Sequence, residues 1–287
     1  MFLKKIKFIV IIFLLYQTQL YSKSNNFENF NSKNLSKYFS GIVAFENKNN
    51  SKALDFFNSS KILLNKHDPY LKRYVYSLVL ENKVSQAINV TKNHKDKDNT
   101  NFFDAHLLLI LDSLKKGNFE DANSHLKKTI KIYQTDRLNL AILESLKQYI
   151  YVFKENKILD NKKKLGKLSI ISETFQRCFL DDQATDAYFS NLINDDQTDY
   201  TRYIYFYLGY LIENNRIEDA KIITDKLNYI NTPLLLSQGK SWIQNGNEEK
   251  FISFFSCKNP NDIISEFLFL ISNLYSSQDD FEKSNFY

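Results

Sequence analysis

The sequence predicts an all-α fold in which about eight helix pairs stack into a solenoid. Three observations support this prediction. A small residue recurs about every 33 residues, the apolar residues between these positions follow helical spacing, and Gly (6) and Pro (3) are scarce among 287 residues. A fixed period of this length is typical of arrays in which each pair buries its apolar face against its neighbours. The first helix of each unit is termed helix A and the second helix B.

The small-residue series marks the points where the two helices of a unit are expected to cross. Each member follows a polar, turn-like stretch, such as GNFED before Ala122, and the steps from Ala53 to Ala87 and on to Ala122 are 34 and 35 residues. A small side chain at the crossing lets two helices approach to about 8–10 Å. The members of the series are Ala53, Ala87, Ala122, Ala187, Ala220 and Ser284.

From Leu35 onward these units resemble the tetratricopeptide-repeat family, whose units have small residues at their eighth, twentieth and twenty-seventh positions. The first unit matches at Gly41, Ala53, Phe57 and Ser60 and the third at Gly117, Phe119, Ala122 and Leu126, and the sixth, with Ala220, is among the clearest. The eighth position is small only at Gly41, Gly239 and Ser272, and the seventh unit has Phe251 at the twentieth position. The resemblance implies a right-handed superhelical solenoid of about eight antiparallel helix pairs, and the departures predict wider packing angles.

The pattern divides the chain into five segments. They are a signal peptide at 1–22, a flexible lead-in at 23–33, repeats 1–3 at 34–135, the degenerate repeats 4 and 5 at 136–200, and repeats 6–8 at 201–287. In the fourth unit, Asn161 stands where a small apolar residue belongs, and a short helix B is predicted to end near Gly166. The last repeat is interpreted as truncated.

The N-terminus has the order of regions found in a secretory signal. Three lysines precede an uninterrupted apolar run from Phe8 to Tyr16, which is about half the length needed to cross a bilayer, and a polar stretch follows. Cleavage is expected after Ser22 or Ser24. The prediction is export to the periplasm, or an uncleaved leader that anchors the chain in the inner membrane facing the periplasm. Membrane contact is expected only through this leader.

The charge of the chain argues against nucleic acid as a partner. The formal net charge is +5, and it falls to about +2 without the three lysines of the leader. A nearly neutral chain lacks the basic surface of a nucleic-acid binder. The basic run Lys162-Lys163-Lys164 is interpreted as a solvated loop. The cysteines, Cys178 and Cys257, are 79 residues apart, and we expect two separate buried thiols because repeats so far apart in a solenoid seldom touch.

No residue set supports catalysis, so the chain is predicted not to be an enzyme and to need no cofactor. Phosphate-binding loops, the GxSxG elbow and HExxH are missing from the sequence. His106 and His125 are interpreted as structural. The acidic pairs Asp181-Asp182 and Asp195-Asp196 fall at turns without the spacing of a calcium loop, and helix capping accounts for them. No metal site is predicted.

The resemblance places the binding surface on helix A, whose exposed face lines a concave groove in the family. Aromatic and basic side chains there suit a partner peptide or helix. Carried over unit by unit, the predicted groove residues are Tyr38, Ile42, Lys72, Tyr76, Leu107, Leu111, Lys115, Arg202, Tyr205 and Glu213. The equal alternative for any single tyrosine is that it packs between repeats.

Three hypotheses for the function follow. The first is a non-enzymatic scaffold or adaptor in the bacterial cell envelope that binds another protein in the groove. The second is the N-terminal accessory solenoid of a longer envelope enzyme, whose catalytic domain lies beyond residue 287. The third is a carrier that holds an apolar ligand in an aromatic-rich interior.

Overall fold

The computed structural model describes residues 31–94, 102–133, 136–194, 201–226 and 234–287. These residues form fifteen α-helices and one 3₁₀ helix and contain no β-strand, which confirms the all-α prediction. The predicted leader and most of the lead-in lie outside them. None of the helices in the described ranges is long and apolar enough to span a bilayer. The chain divides into two compact units, Met1–Tyr70 and Leu71–Tyr287.

The first unit contains α1 (Ser32–Glu46), α2 (Asn50–Ser59) and a 3₁₀ helix (Lys61–Asn65). α1 and α2 pack closely because Gly41 presents no side chain to the ring of Phe57, which is fully buried. A Cβ atom on Gly41 would lie 2.8 Å from that ring, well inside van der Waals contact. The predicted small residue at the eighth position is therefore required by this crossing.

The second unit begins within α3 and continues the alternation of helix A and helix B. From α4 to α12, each helix packs against the next, and α10 also packs against α12 and α13. The bounds are α3 (Asp68–Leu80), α4 (Val84–His94), α5 (Phe103–Lys115), α6 (Phe119–Ile132), α7 (Arg137–Glu155), α8 (Lys167–Leu180), α9 (Thr185–Ile193), α10 (Thr201–Glu213), α11 (Ile217–Asp225), α12 (Leu234–Gln244), α13 (Glu249–Phe254), α14 (Pro260–Ser276) and α15 (Phe281–Phe286).

A residue with positive φ follows helix A in every unit. A left-handed residue ends a helix sharply and lets the chain turn back, and Gly, Asn and Asp adopt it at the least cost. In six units, the small-residue position of helix B, or its equivalent Phe251, lies five residues after this left-handed residue. The left-handed residues that lead from helix A into helix B are Lys48, Asn82, Gly117, Asp181, Asn215, Gly246 and Asp279.

The small-residue series is largely confirmed, with one error. The side chains of Ala53, Ala87, Ala122 and Ala220 are completely buried at the helix crossings. Ala187 is exposed, so its assignment to the series was wrong.

The error at Ala187 has its origin in the turn between α8 and α9. The left-handed residue of this turn is Asp181, and the first buried residue of α9 comes four residues later, at Thr185, instead of five. The buried face of α9 continues with Phe189 and Leu192, each one residue earlier than the corresponding Leu126 and Thr129 of α6. The turn is one residue shorter, and Thr185 occupies the crossing.

The last two units use other residues at the same crossing. In the seventh unit Phe251 is the large residue, and Gly239 of α12 makes room for it, since a Cβ atom on Gly239 would lie 2.7 Å from the Phe251 ring. In the last unit the Ser272 hydroxyl donates to the carbonyl oxygen of Ser284 at 2.7 Å. A small side chain on either helix therefore suffices for the close approach.

The fourth unit has no helix B, contrary to the prediction of a short one. Residues 156–166 form no helix, and the backbone of Lys163 is instead held by side chains of α7. The Glu144 carboxylate accepts from the Lys163 amide at 3.4 Å, and the Gln148 side chain donates to its carbonyl oxygen at 3.3 Å. Glu144 and Gln148 are buried, and these hydrogen bonds hold residues 156–166 against α7, where a helix B would otherwise pack.

The sequence suggested that the basic run Lys162-Lys163-Lys164 is a solvated loop, and this is wrong for Lys162. The side chain of Lys162 is only 11% exposed, and its ammonium lies 2.8 Å from the buried carboxylate of Glu173. Arg177 and Tyr188 also donate to this carboxylate, at 2.9 and 2.7 Å. Burial alone raises the pKa of Glu173, but these donors outweigh it and lower the pKa to about 2. The cluster fixes the segment against α8 and α9.

Cys178 and Cys257 form a disulfide, so the prediction of two separate thiols was wrong. Cys178 lies on α8, and Cys257 lies in the segment between α13 and α14, with their Cα atoms 5.8 Å apart. The two come together because this segment turns back onto α8, where Phe255 packs against Phe175 with ring centroids 5.6 Å apart. Contact between non-consecutive units was not anticipated from the repeat pattern.

Replacing Gly239 with Ala should lower the free energy of unfolding by about 1–3 kcal/mol, because the new methyl group overlaps the completely buried ring of Phe251, which must shift. Gly209→Ala is the matched control. Its Cβ atom would have no neighbour closer than 3.8 Å, and the substitution should stabilise α10 by up to about 1 kcal/mol. Urea unfolding measures both, and equal effects of the two substitutions would contradict the crossing geometry.

Replacing both cysteines with Ala should lower the free energy of unfolding by about 4 kcal/mol, because the bond closes a loop of 79 residues. The same loss is expected when the native protein is unfolded in a reducing buffer, while the double variant should not respond to reductant. A native protein whose thiols are shown by mass to be free, yet which unfolds at the same urea concentration, would contradict this expectation.

Candidate functional site

The pair α14–α15 does not continue the stack but lies against helix A of earlier units. Tyr149 of α7 packs edge-on against Phe267 of α14, with ring centroids 5.6 Å apart, and α14 also packs against α8. Side chains of α3, α5 and α10 contact the pair as well, as described below. The faces of α3, α5, α7, α8 and α10 that meet α14–α15 are termed the helix-A surface. This is the surface on which the sequence predicted a groove.

Arg202 and Glu266 form the strongest polar contact between the helix-A surface and α14. The Arg202 guanidinium donates to both carboxylate oxygens of Glu266, at 2.9 and 2.5 Å, and it also lies 4.1 Å from the ring centroid of Phe269. Burial raises the pKa of Glu266, and the charge of Arg202 opposes the rise. Arg202, predicted as an anchor for a partner, is thus engaged by the chain itself.

Asp104 of α5 joins the other end of the helix-A surface to the C-terminal segment. Its buried carboxylate accepts from the Tyr76 hydroxyl of α3 at 2.6 Å and from the Tyr287 hydroxyl. Burial, followed by the charge of Asp104, raises the pKa of both tyrosines, so they remain protonated donors at neutral pH. Phe286 packs on the Tyr76 ring, with centroids 4.5 Å apart.

Three other predicted groove residues lie inside the packed interior. Tyr38, in the first unit, is buried against Phe57, with ring centroids 6.0 Å apart. Leu107 is completely buried in the core of the second unit, and Tyr205 stacks on Phe251 of α13 at 4.8 Å. These side chains pack within and between repeats.

Three predicted groove residues, Ile42, Lys72 and Glu213, are half-buried, and each has different surroundings. Ile42 lies on α1 in the first unit. The Lys72 ammonium lies 5.4 Å from the centroid of the Tyr76 ring, a cation–π contact. Burial raises the pKa of Glu213, which lies at the C-terminal end of α10.

Leu111 and Lys115 are the predicted residues that face open space. They line two adjoining hollows of about 600 and 300 Å³, which also share Leu268 of α14. These hollows form one trough, termed the α5–α14 cleft. Its main lining residues are Val84, Ile88, Leu111, Lys115, Leu268 and Phe286.

A second cleft of about 460 Å³ lies between α14, α8 and α10, within the second unit. Arg202, Phe269 and Ile171 are among its lining residues. Lys167 and Arg202 are its charged lining residues, and the Arg202 guanidinium is less accessible to a ligand because it is already paired with Glu266. The first unit has a cleft of its own, of about 690 Å³, where Phe39 and Val43 of α1 are more than half exposed.

Sequence reasoning missed Glu266 and Asp104. A signal for Glu266 was present, because it stands at the centre of the apolar run of α14 at helical spacing from Ile263 and Phe267, on the face that is buried. A charge on an apolar face predicts a buried partner of opposite charge. Asp104 lies in the first turn of α5, where acidic residues are common, and nothing local indicated the distant Tyr287.

The acidic and histidine clusters behave as structural residues. Asp182 accepts from the Ala184 amide at 2.8 Å at the start of α9, and Asp181 accepts from the Tyr210 hydroxyl at 3.0 Å. Burial lowers the pKa of His106, and nearby His125 lowers it further. Within the described ranges, no group of three or more His, Cys, Asp or Glu side chains is arranged to hold a metal ion. Asp195 and Asp196 lie outside these ranges.

Comparison with known proteins does not assign the chain to a family. The sequence matches no protein-family model, and no curated protein is significantly similar to it.

Replacing Arg202 with Met should lower the free energy of unfolding by about 2–3 kcal/mol near neutral pH, because Glu266, whose side chain is 3% exposed, loses its partner. Adding Glu266→Gln should recover most of the loss. An unpaired buried carboxyl has a raised pKa in the folded state, so the loss is full above that pKa and shrinks as the pH falls below it. Urea unfolding near pH 7.5 and near pH 5 measures this, and equal losses at both would contradict it.

Proposed function

We propose that this chain is a non-enzymatic protein-binding scaffold or adaptor of the bacterial cell envelope, built as a right-handed superhelical solenoid. One observation carries the proposal: the helix-A surface already holds a helical pair, α14–α15, through an Arg–Glu pair, tyrosine–carboxylate hydrogen bonds and stacked rings. Tyrosine and arginine are common anchors of protein interfaces, and grooves between helices are a common binding site for a partner helix. A surface that accommodates one helical pair in this way suits the binding of further helices beside it.

The α5–α14 cleft is the part of this surface where we propose that a partner binds. Leu111 is half-buried and Lys115 is exposed, and both border the trough beside α14. Arg202, Tyr76 and Leu107 are engaged by the chain itself. A partner therefore meets the helix-A surface at the end of α5 instead of along its whole length.

The disulfide supports the export that the N-terminal sequence predicts. Disulfide bonds persist in oxidising compartments such as the periplasm and are rare in the bacterial cytosol. The Cys178–Cys257 bond is buried and joins two non-consecutive units, so it belongs to the folded architecture. Together with the leader, it favours the envelope as the site of action.

The buried carboxylates support a structural rather than a catalytic reading. Asp104, Glu173 and Glu266 each accept hydrogen bonds from cationic or hydroxyl side chains of the chain itself. Their partners fix helix against helix, as expected of residues that hold an array together.

A photoreactive amino acid at position Leu111 should give one dominant protein adduct after irradiation of the envelope fraction, because this side chain borders the proposed binding cleft. The control position is Ile222 on α11, which is 56% exposed and does not line the cleft. Gel shifts and mass spectrometry of the tagged full chain provide the readout. No adduct at Leu111, or the same adducts at both positions, would contradict the proposal.

A further inference from the structure

We propose that the α5–α14 cleft binds an amphipathic helix of the partner that carries an acidic residue beside its apolar ridge. This inference rests on the proposed function and names the chemistry of the partner. Three features of the cleft carry it: its shape, its unbalanced positive charge, and the way the chain fills the rest of the helix-A surface.

The shape of the cleft suits one face of a helix. The two hollows are continuous through Leu111, Lys115 and Leu268, and their volumes of about 600 and 300 Å³ accommodate several large side chains. Leu108 and Phe286 contribute to an apolar lining of the larger hollow. A ridge of apolar side chains at helical spacing fills such a trough, as in other helix-in-groove complexes.

The rim of the cleft carries more positive than negative charge. Lys92 and Lys116 both pair with one carboxylate, that of Asp112, at 2.5 and 2.8 Å. Lys115 is exposed beside them and forms no ion pair with any residue in the described part of the chain. Lys115 and Lys116 thus line the cleft with one carboxylate, that of Asp112, which is already paired with Lys92 and Lys116, and a partner with acidic side chains would complement the excess.

Elsewhere on the helix-A surface, basic side chains form ion pairs with carboxylates of α14 and α15. Arg73 of α3 pairs with Glu282 of α15 at 3.3 Å, and Arg202 of α10 pairs with Glu266 of α14. In both cases the carboxylate comes from a helix packed on the helix-A surface. Lys115 of α5 borders the same pair of helices without such a carboxylate, so an incoming acidic helix would complete the pattern.

A lipid is the main alternative occupant, and the cleft favours a helix over it. The trough mixes its apolar lining with amide and hydroxyl side chains, including Asn89, Ser85 and Asn261. An acyl chain gains most from an enclosed apolar cavity, whereas an amphipathic helix places its polar side chains against such groups. The test therefore includes vesicles of an anionic phospholipid as a separate probe.

The experiment uses the full chain and three fluorescein-labelled helical peptides with leucine at i, i+3, i+4 and i+7. The first carries glutamate beside the leucines, the second glutamine and the third lysine. Fluorescence anisotropy should show the glutamate peptide binding about tenfold more tightly than the glutamine peptide, with affinity that falls as salt is added. Lys115→Glu should remove this preference and improve binding of the lysine peptide.

Lys131→Glu on α6 is the matched control, because Lys131 is exposed in the same repeat but does not line the cleft. It should leave the order of the three peptides unchanged. The inference is overturned if glutamate and glutamine peptides bind equally, if Lys131→Glu acts like Lys115→Glu, or if only the vesicles bind. A protein adduct at Leu111 without a preference for the glutamate peptide would overturn this inference alone. The absence of both the adduct and the preference would overturn the proposed function as well.

Discussion

The close approach of helix A to helix B is the constraint on which the rest of this structure depends. A left-handed residue reverses the chain after helix A, and a completely buried small residue such as Ala122 follows five positions later. Where the turn is one residue shorter, Thr185 takes this place, and where helix B presents Phe251, helix A presents Gly239. Each unit can thus bury its apolar face against the next, which is how such an array becomes stable.

The helix-A surface that results is covered by the chain's own α14–α15. The contacts are an Arg–Glu ion pair, tyrosine–carboxylate hydrogen bonds and packed aromatic rings. Glu266 reaches Arg202, and Asp104 gains Tyr287 as a second donor beside Tyr76, only when the pair is in place, so these contacts make its position specific. The α5–α14 cleft remains because Leu111 and Lys115 border α14 without being covered by it.

Sequence reasoning could predict what is local and periodic. The buried positions of Ala53, Ala87, Ala122 and Ala220 follow from the spacing alone. The position of Ala187 depended on which residue of the preceding turn is left-handed, and nothing in the sequence indicated that this residue is Asp181. The missing helix B of the fourth unit depended on buried polar side chains of α7. The disulfide and the folding back of α14–α15 join residues far apart in the chain. The repeat pattern predicts contacts between neighbouring units only, so it could not predict these.

The position of α14–α15 in the chain has a consequence for folding. A repeat array can fold progressively from its N-terminus, because each unit packs on the one before it. The helix-A surface is different, since the helices that cover it come after all five helices that form it. Buried groups such as Asp104 therefore stay open to water, and to chaperones, until α14–α15 have packed onto them. Folding intermediates in which α14–α15 are not yet packed should for this reason be the species most prone to aggregate.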